Sequence, residues 1–172
     1  MKARIKGLAA PLLILTALAI QAPAVTISYT PSPEVTPHDV TSPDVKVPQI
    51  GRLYLPLEYW RWMLEAGEDY GVDPCLIAAT AAIESRFDPG TTSGRGQCIG
   101  LMQLHRDTAR RLGVNPWDPQ ENIRGGARVL ARLLHRYHGD LRRVYQTYNA
   151  TFTEAYFREV MKAYQQARRT AK

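Results

Sequence analysis

Glu84 is the residue best placed to do chemistry. It follows Cys75-Leu76-Ile77-Ala78-Ala79-Thr80-Ala81-Ala82-Ile83, a run with almost no polar face. A helix that is apolar on all sides is a buried helix. The Glu84-Ser85-Arg86-Phe87-Asp88-Pro89 stretch reads as its end. Desolvation there disfavours the charged form of a carboxyl, and the negative end of the helix dipole does the same. A carboxyl that keeps its proton near neutral pH can serve as a general acid. The plainer reading of Glu84 is an ion pair with Arg86 at a helix terminus, and structural pairs of that kind also shift pKa values.

Other reactive side chains offer less. Asp88 precedes Pro89 and reads as a turn or cap residue, and Asp107 as one facing the start of its own helix. His38, His105, His135 and His138 form no ligand set with cysteines or acids. His135 and His138 share a helix at i, i+3, a spacing more often found in a surface pair than in a metal site. No metal and no cofactor are expected, and the glycine loops lack a phosphate-binding pattern. Cys75 and Cys98 are the two cysteines. An even count in an exported chain allows a disulfide. Free thiols are the alternative, since one begins a helix, the other lies in the loop beyond it, and a bridge needs a narrow separation.

The elements that must position Glu84 read as helices. Residues 56 to 70 begin with Pro56, carry Leu57, Trp60, Met63 and Leu64 at helical spacing, and stop at Gly71. Asp73 caps the next helix with Pro74 in its first turn, and this helix runs to Glu84 or Ser85. Residues 87 to 98 are a Gly-, Thr- and Ser-rich loop. A short turn, 99 to 103, leads into a helix from about His105 to Leu112, stopped by Gly113. Asp118-Pro119 starts the longest helix, to about His138 and Gly139. Ile123, Ala127, Leu130 and Leu134 form its apolar face, and Arg124, Arg128, Arg132 and Arg136 recur on another. Asp140 caps a helix to about Tyr148, and a last one spans about Thr153 to Arg168. No segment alternates with period two for long, so strand content should be small.

The ends and the charge bound the setting. Lys2, Arg4 and Lys6, the apolar run of residues 8–20 and Ala22-Pro23-Ala24 make residues 1–24 an export signal, or an uncleaved N-terminal anchor. Residues 25–51 are a Pro- and Thr-rich linker of extended character. The rest, 52–172, is one domain's worth of chain. The formal net charge is +6, of which the signal supplies three. Residues 105 to 143 carry nine arginines against four acids. Such a basic half suits an acidic polymer or a membrane surface, or is simply a solvated helix face. No nucleic-acid motif accompanies it, and no nucleic-acid partner is expected.

Three further stretches stand out: Gly100-Leu101-Met102-Gln103, Asn122-Ile123 with Gly126, and Tyr148-Asn149-Ala150. With Glu84-Ser85 ahead of them, and with Thr108-Ala109, Leu112-Gly113, Thr153-Glu154 and Tyr156, this ordered set resembles the lytic transglycosylase domain of the soluble-transglycosylase type. The resemblance covers about residues 56 to 164. It implies a mainly α, lysozyme-like domain with little or no sheet. It also implies cleavage of the β-1,4 bond between N-acetylmuramic acid and N-acetylglucosamine in peptidoglycan, leaving a 1,6-anhydromuramoyl end without use of water. Glu84 matches the family's catalytic acid and base. Ser85 matches the serine beside it, which positions the substrate's N-acetyl group or the glutamate. Met102 and Gln103 match residues lining the sugar groove. Tyr148 matches a tyrosine whose hydroxyl lies near the carboxyl, and Asn149 a glycan-contacting or scaffold asparagine.

The departures are His105-Arg106 where the family often has Pro, Thr151 where it usually has Gly, and only Thr151 and Phe152 before the closing helix. The last implies a more open far side of the groove. A muramidase on the same fold and a non-catalytic glycan-binding module of an envelope-spanning apparatus are the alternatives. The partners implied are peptidoglycan glycan strands and, for such small exported domains, a secretion, conjugation, pilus or phage apparatus. The place of action implied is the periplasm or cell envelope.

Overall fold

The structure, a computed structural model, describes residues 45–171. The expected signal or anchor of residues 1–24 and the expected linker up to residue 44 lie outside the described residues. Within them the chain is mainly α. Six helices, α1 (Leu57–Tyr70), α2 (Pro74–Glu84), α3 (Arg106–Leu112), α4 (Pro119–Arg136), α5 (Leu141–Tyr148) and α6 (Glu154–Thr170), are joined by a small sheet that packs beside α3 and α4. Its strands are β1 (Thr92–Ser93), β2 (Cys98–Ile99) and β3 (Leu104–His105). No described helix is long and apolar enough to cross a membrane.

Helix α2 is the axis of the fold. Every residue from Cys75 to Ala82 is buried, and α1 and α6 pack on it. Its alanines leave room for those neighbours to approach closely. Thr80 is its single polar residue inside the core, and its hydroxyl is satisfied by Leu76 O at 2.8 Å and Tyr145 OH at 2.6 Å. Asp73 caps the helix by accepting the Cys75 N–H at 2.9 Å. Asp118, Asp140 and Thr153 cap α4, α5 and α6 in the same way, each satisfying an otherwise orphaned donor. Helix α4 ends at Arg136, short of His138 and Gly139. Those two residues turn with φ of 50° and 80°, a left-handed conformation that ends a helix.

The stretch 45–51 is not a free linker in its final residues. Ile50 is buried in the core. The Gln49 N–H donates to Thr170 Oγ1 at 2.8 Å and the Gly51 N–H to Gln166 Oε1 at 3.1 Å. The packed body thus begins ahead of residue 52, because Ile50 supplies an apolar anchor that the surrounding prolines mask in the sequence.

The loop between α2 and α3 holds all three strands. They are antiparallel, with Thr92 opposite Ile99, Ser93 opposite Cys98, Cys98 opposite His105 and Ile99 opposite Leu104. At two residues each, they are too short to show alternation in the sequence.

Candidate active site

Glu84 is the last residue of α2. The chain leaves the helix by an abrupt turn: Arg86 and Phe87 both adopt left-handed conformations, with φ of 57° and 65°. Such values are uncommon for residues with a side chain, and strain of this kind collects at functional sites. Buried Phe87 holds one side of the turn. Ser85 holds the other. Its hydroxyl donates to Ala81 O at 3.0 Å and to Leu101 O at 2.9 Å. Ser85 is therefore buried and fixes the helix end against the strand segment.

Glu84 opens into a groove of about 560 Å³. One wall comes from the sheet, with Ser93, Cys98, Gln103 and His105. The other comes from α4 and the end of α5, with Val129, Leu133, Tyr148 and Asn149. Glu84 is the only carboxylate among these lining residues. Arg86 is exposed. The partner the structure gives Glu84 is Tyr156 of α6, whose hydroxyl donates to Oε1 at 2.5 Å. Burial pushes the Glu84 carboxyl above its ordinary value, and the Tyr156 hydrogen bond acts in the opposite direction. Burial, helped by the nearby Glu84, pushes the Tyr156 phenol far up, so it remains a donor. The Asn149 side chain reaches the same phenol oxygen.

Burial, helped by the nearby Glu84, holds the Tyr148 phenol protonated, but its hydroxyl donates elsewhere, to Met102 O at 2.8 Å. Tyr145, fully buried, lies with its ring 6.1 Å from those of both Tyr148 and Tyr156. These rings form one aromatic cluster beside Glu84.

Met102 and Gln103 divide their work. The Met102 side chain is fully buried and packs on Gly126; a Cβ at that glycine would lie 2.6 Å from it. It supports the groove from beneath. Gln103 lines the groove, and its amide is held by Thr91 O and Gly100 O, both at 3.0 Å, and by Ser93 Oγ at 2.6 Å. Buried Asn122 joins this segment to α4. Its Oδ1 accepts Met102 N–H at 2.8 Å, and its Nδ2 donates to Ile99 O and Pro116 O at 2.9 and 2.8 Å. Gly100, at φ 77°, is required by that contact, since a Cβ would come within 2.4 Å of Asn122 Nδ2.

Tyr156 is the site residue that the sequence leaves without a role. It appears there only as one member of the motif set on the closing helix, with nothing to join it to Glu84. Both cysteines are free thiols, Cys75 buried and Cys98 beside the groove. Burial next to Asp73 pushes the Cys75 thiol up to about 12. Among the described residues no group of His, Cys, Asp and Glu is arranged to hold a metal ion.

Comparison with known proteins places the chain in a family. The chain is 40% identical over 109 residues to a transglycosylase of Enterobacteria phage PRD1, covering 63% of this chain and 40% of that one. It is 44% identical over 93 residues to membrane-bound lytic murein transglycosylase F 1 of Alkalilimnicola ehrlichii, covering 54% of this chain and 19% of the relative. The chain thus spans less than half the length of these relatives. Among solved structures it is similar to an inactive mutant of the lytic transglycosylase Slt from Pseudomonas aeruginosa, with a TM-score of 0.49 and 22% identity, covering 67% of this chain and 23% of that one. The model of the transglycosylase SLT domain matches residues 61–171. That span takes in Glu84, the sheet, the Asn122 joint and Tyr156, and on it the chain belongs to the transglycosylase SLT domain family.

Proposed function

We propose that the protein is a peptidoglycan lytic transglycosylase that cleaves the β-1,4 bond between N-acetylmuramic acid and N-acetylglucosamine. The observation that carries this reading is a single half-buried carboxyl, facing a groove, raised in pKa and held by a tyrosine. Two-carboxylate glycosidases place their acids roughly 5 to 9.5 Å apart. Here the other candidates are occupied on the surface: Asp88 accepts the Gly90 N–H at 2.9 Å, and Asp107 pairs with Arg110 at 3.0 Å.

The chemistry follows from the two oxygens of Glu84. Oε1 accepts the Tyr156 proton, so the carboxyl proton resides on Oε2. In the first step Oε2–H protonates the glycosidic oxygen, and the bond from the muramyl C1 to that oxygen breaks. The Glu84 carboxylate so formed keeps the Tyr156 hydrogen bond, which favours the charged form. In the second step the carboxylate takes the proton of the muramyl C6 hydroxyl as that oxygen bonds to C1. One carboxyl therefore acts as acid and then as base, and ends the cycle protonated. Tyr156 and Asn149 orient it, while the tyrosine rings exclude water from its rear.

The relatives' names speak of murein and of membrane-bound enzymes, and they support a site of action at the cell envelope. Export by residues 1–24, or anchoring by residues 8–20, is part of the same proposal. The test is Glu84→Gln, nearly isosteric and without acid–base function. It should cut turnover on purified peptidoglycan by at least about 10²- to 10⁴-fold while remaining folded. Wild-type turnover by the folded variant would refute the assignment.

A further inference from the structure

The register of the small sheet lines up side chains across it. Ser93 pairs with Cys98, and Cys98 with His105. Residues directly opposite in antiparallel strands point to the same face, so these three form one row. All three line the groove that holds Glu84. The other row is turned into the protein, with Ile99 and Leu104 buried.

The members of the row differ in what they can still offer a ligand. The Ser93 hydroxyl donates to Gln103 Oε1, and the Gln103 amide donates to two backbone carbonyls. Both are spent on the protein. Cys98 is only a weak donor. His105 is different. Its Nδ1 accepts the Asp107 backbone N–H at 3.2 Å and so caps α3. A ring nitrogen that accepts carries no proton, so the neutral imidazole holds its proton on Nε2. The Asp107 carboxylate stands 3.8 Å from the same Nδ1, beyond hydrogen-bond reach, and pairs with Arg110 instead. The side chain is 47% exposed. The cap thus sets both the tautomer and the ring orientation and leaves one N–H donor for the groove wall.

We propose that His105 reads the substrate: its Nε2–H donates to an acetamido carbonyl of an N-acetylated glycan lying in the groove. This rests on the glycan-cleaving function proposed above. A single N–H donor is matched by one exposed oxygen acceptor. In a β-1,4 glycan of N-acetylated sugars the amide oxygens are stronger acceptors than the hydroxyl or acetal oxygens. His105 is a specificity residue here and takes no part in bond breaking.

The test is binding by the full chain carrying Glu84→Gln, so that nothing is cleaved. The probe is the β-1,4-linked hexasaccharide of N-acetylglucosamine, measured by calorimetry. Two second substitutions separate the roles of His105. His105→Ser keeps an N-cap, because serine is among the favoured capping residues, but is too short to reach a ligand. His105→Ala removes both functions. Both should weaken binding by about 3- to 10-fold, the worth of one hydrogen bond, and His105→Ser should melt with its parent. Toward the de-N-acetylated hexasaccharide, parent and His105→Ser should bind alike. Parental affinity of His105→Ser for the acetylated probe would reduce His105 to a cap and overturn the proposal. An equal loss toward both sugars would overturn the choice of acceptor. A parent that binds no glycan at all would bring down the glycan-cleaving function first, and this proposal with it.

Discussion

The Tyr156 hydroxyl donates to Glu84 Oε1 at 2.5 Å, joining α6 to the end of α2 across 72 residues of chain. This bond has two opposing consequences. It holds the carboxyl at Oε1, and it moderates the rise in pKa that burial imposes.

Replacing Tyr156 by Phe separates them. The phenyl ring keeps the packing and deletes the donor. Without that donor the Glu84 pKa should rise further, so the alkaline limb of the rate profile should move to higher pH. Turnover at the optimum should fall by about tenfold, because the acid is less well oriented. A pH–rate series on both proteins checks this. An unmoved alkaline limb would show that the Tyr156 bond does not act on the catalytic ionisation.

The same pKa shift should appear in stability. A carboxyl raised in the folded state binds its proton there more tightly than in the unfolded chain. Between the unfolded value of about 4.3 and the raised folded value, the native state holds more protons, and stability falls as pH rises. Glu84→Gln removes that loss. The variant should match the wild type in strongly acidic buffer and melt higher at neutral pH. Thermal melts across the pH range check this. Equal melting temperatures at every pH would mean that burial leaves Glu84 unperturbed.

Much of this site was legible in the sequence, for reasons that differ by residue. Glu84 stood out because an all-apolar helix must be buried and its end must meet the surface. The caps Asp73, Asp118 and Asp140 were legible because capping is local. The mainly α class followed from helical periodicity, and the observed sheet is small. Tyr156 was not legible as the partner of Glu84, since its target depends on how α6 docks on α2. Met102 and Ser85 were expected to meet the substrate, but both side chains turn inward, Met102 onto Gly126 and Ser85 onto Leu101. The polar row Ser93, Cys98 and His105 exists only through pairing of two-residue strands, which leave no periodic trace.

Asn122 offers a test of the scaffold apart from the chemistry. Its side chain serves three backbone groups in the core beneath the groove. Asn122→Ala leaves those groups without partners and should cost roughly 3 kcal/mol. Urea unfolding should show a lower midpoint with an unchanged slope. A loss below about 1 kcal/mol would mean that water replaces the amide there.

The central claim is that one carboxyl, Glu84, performs both proton transfers and that water takes no part. Mass spectrometry of the fragments released from purified peptidoglycan tests it most directly. The account predicts muramyl ends lighter by one water than reducing sugars, produced by the wild type and absent with Glu84→Gln. Reducing ends that carry an added water would contradict it and make the enzyme a hydrolase.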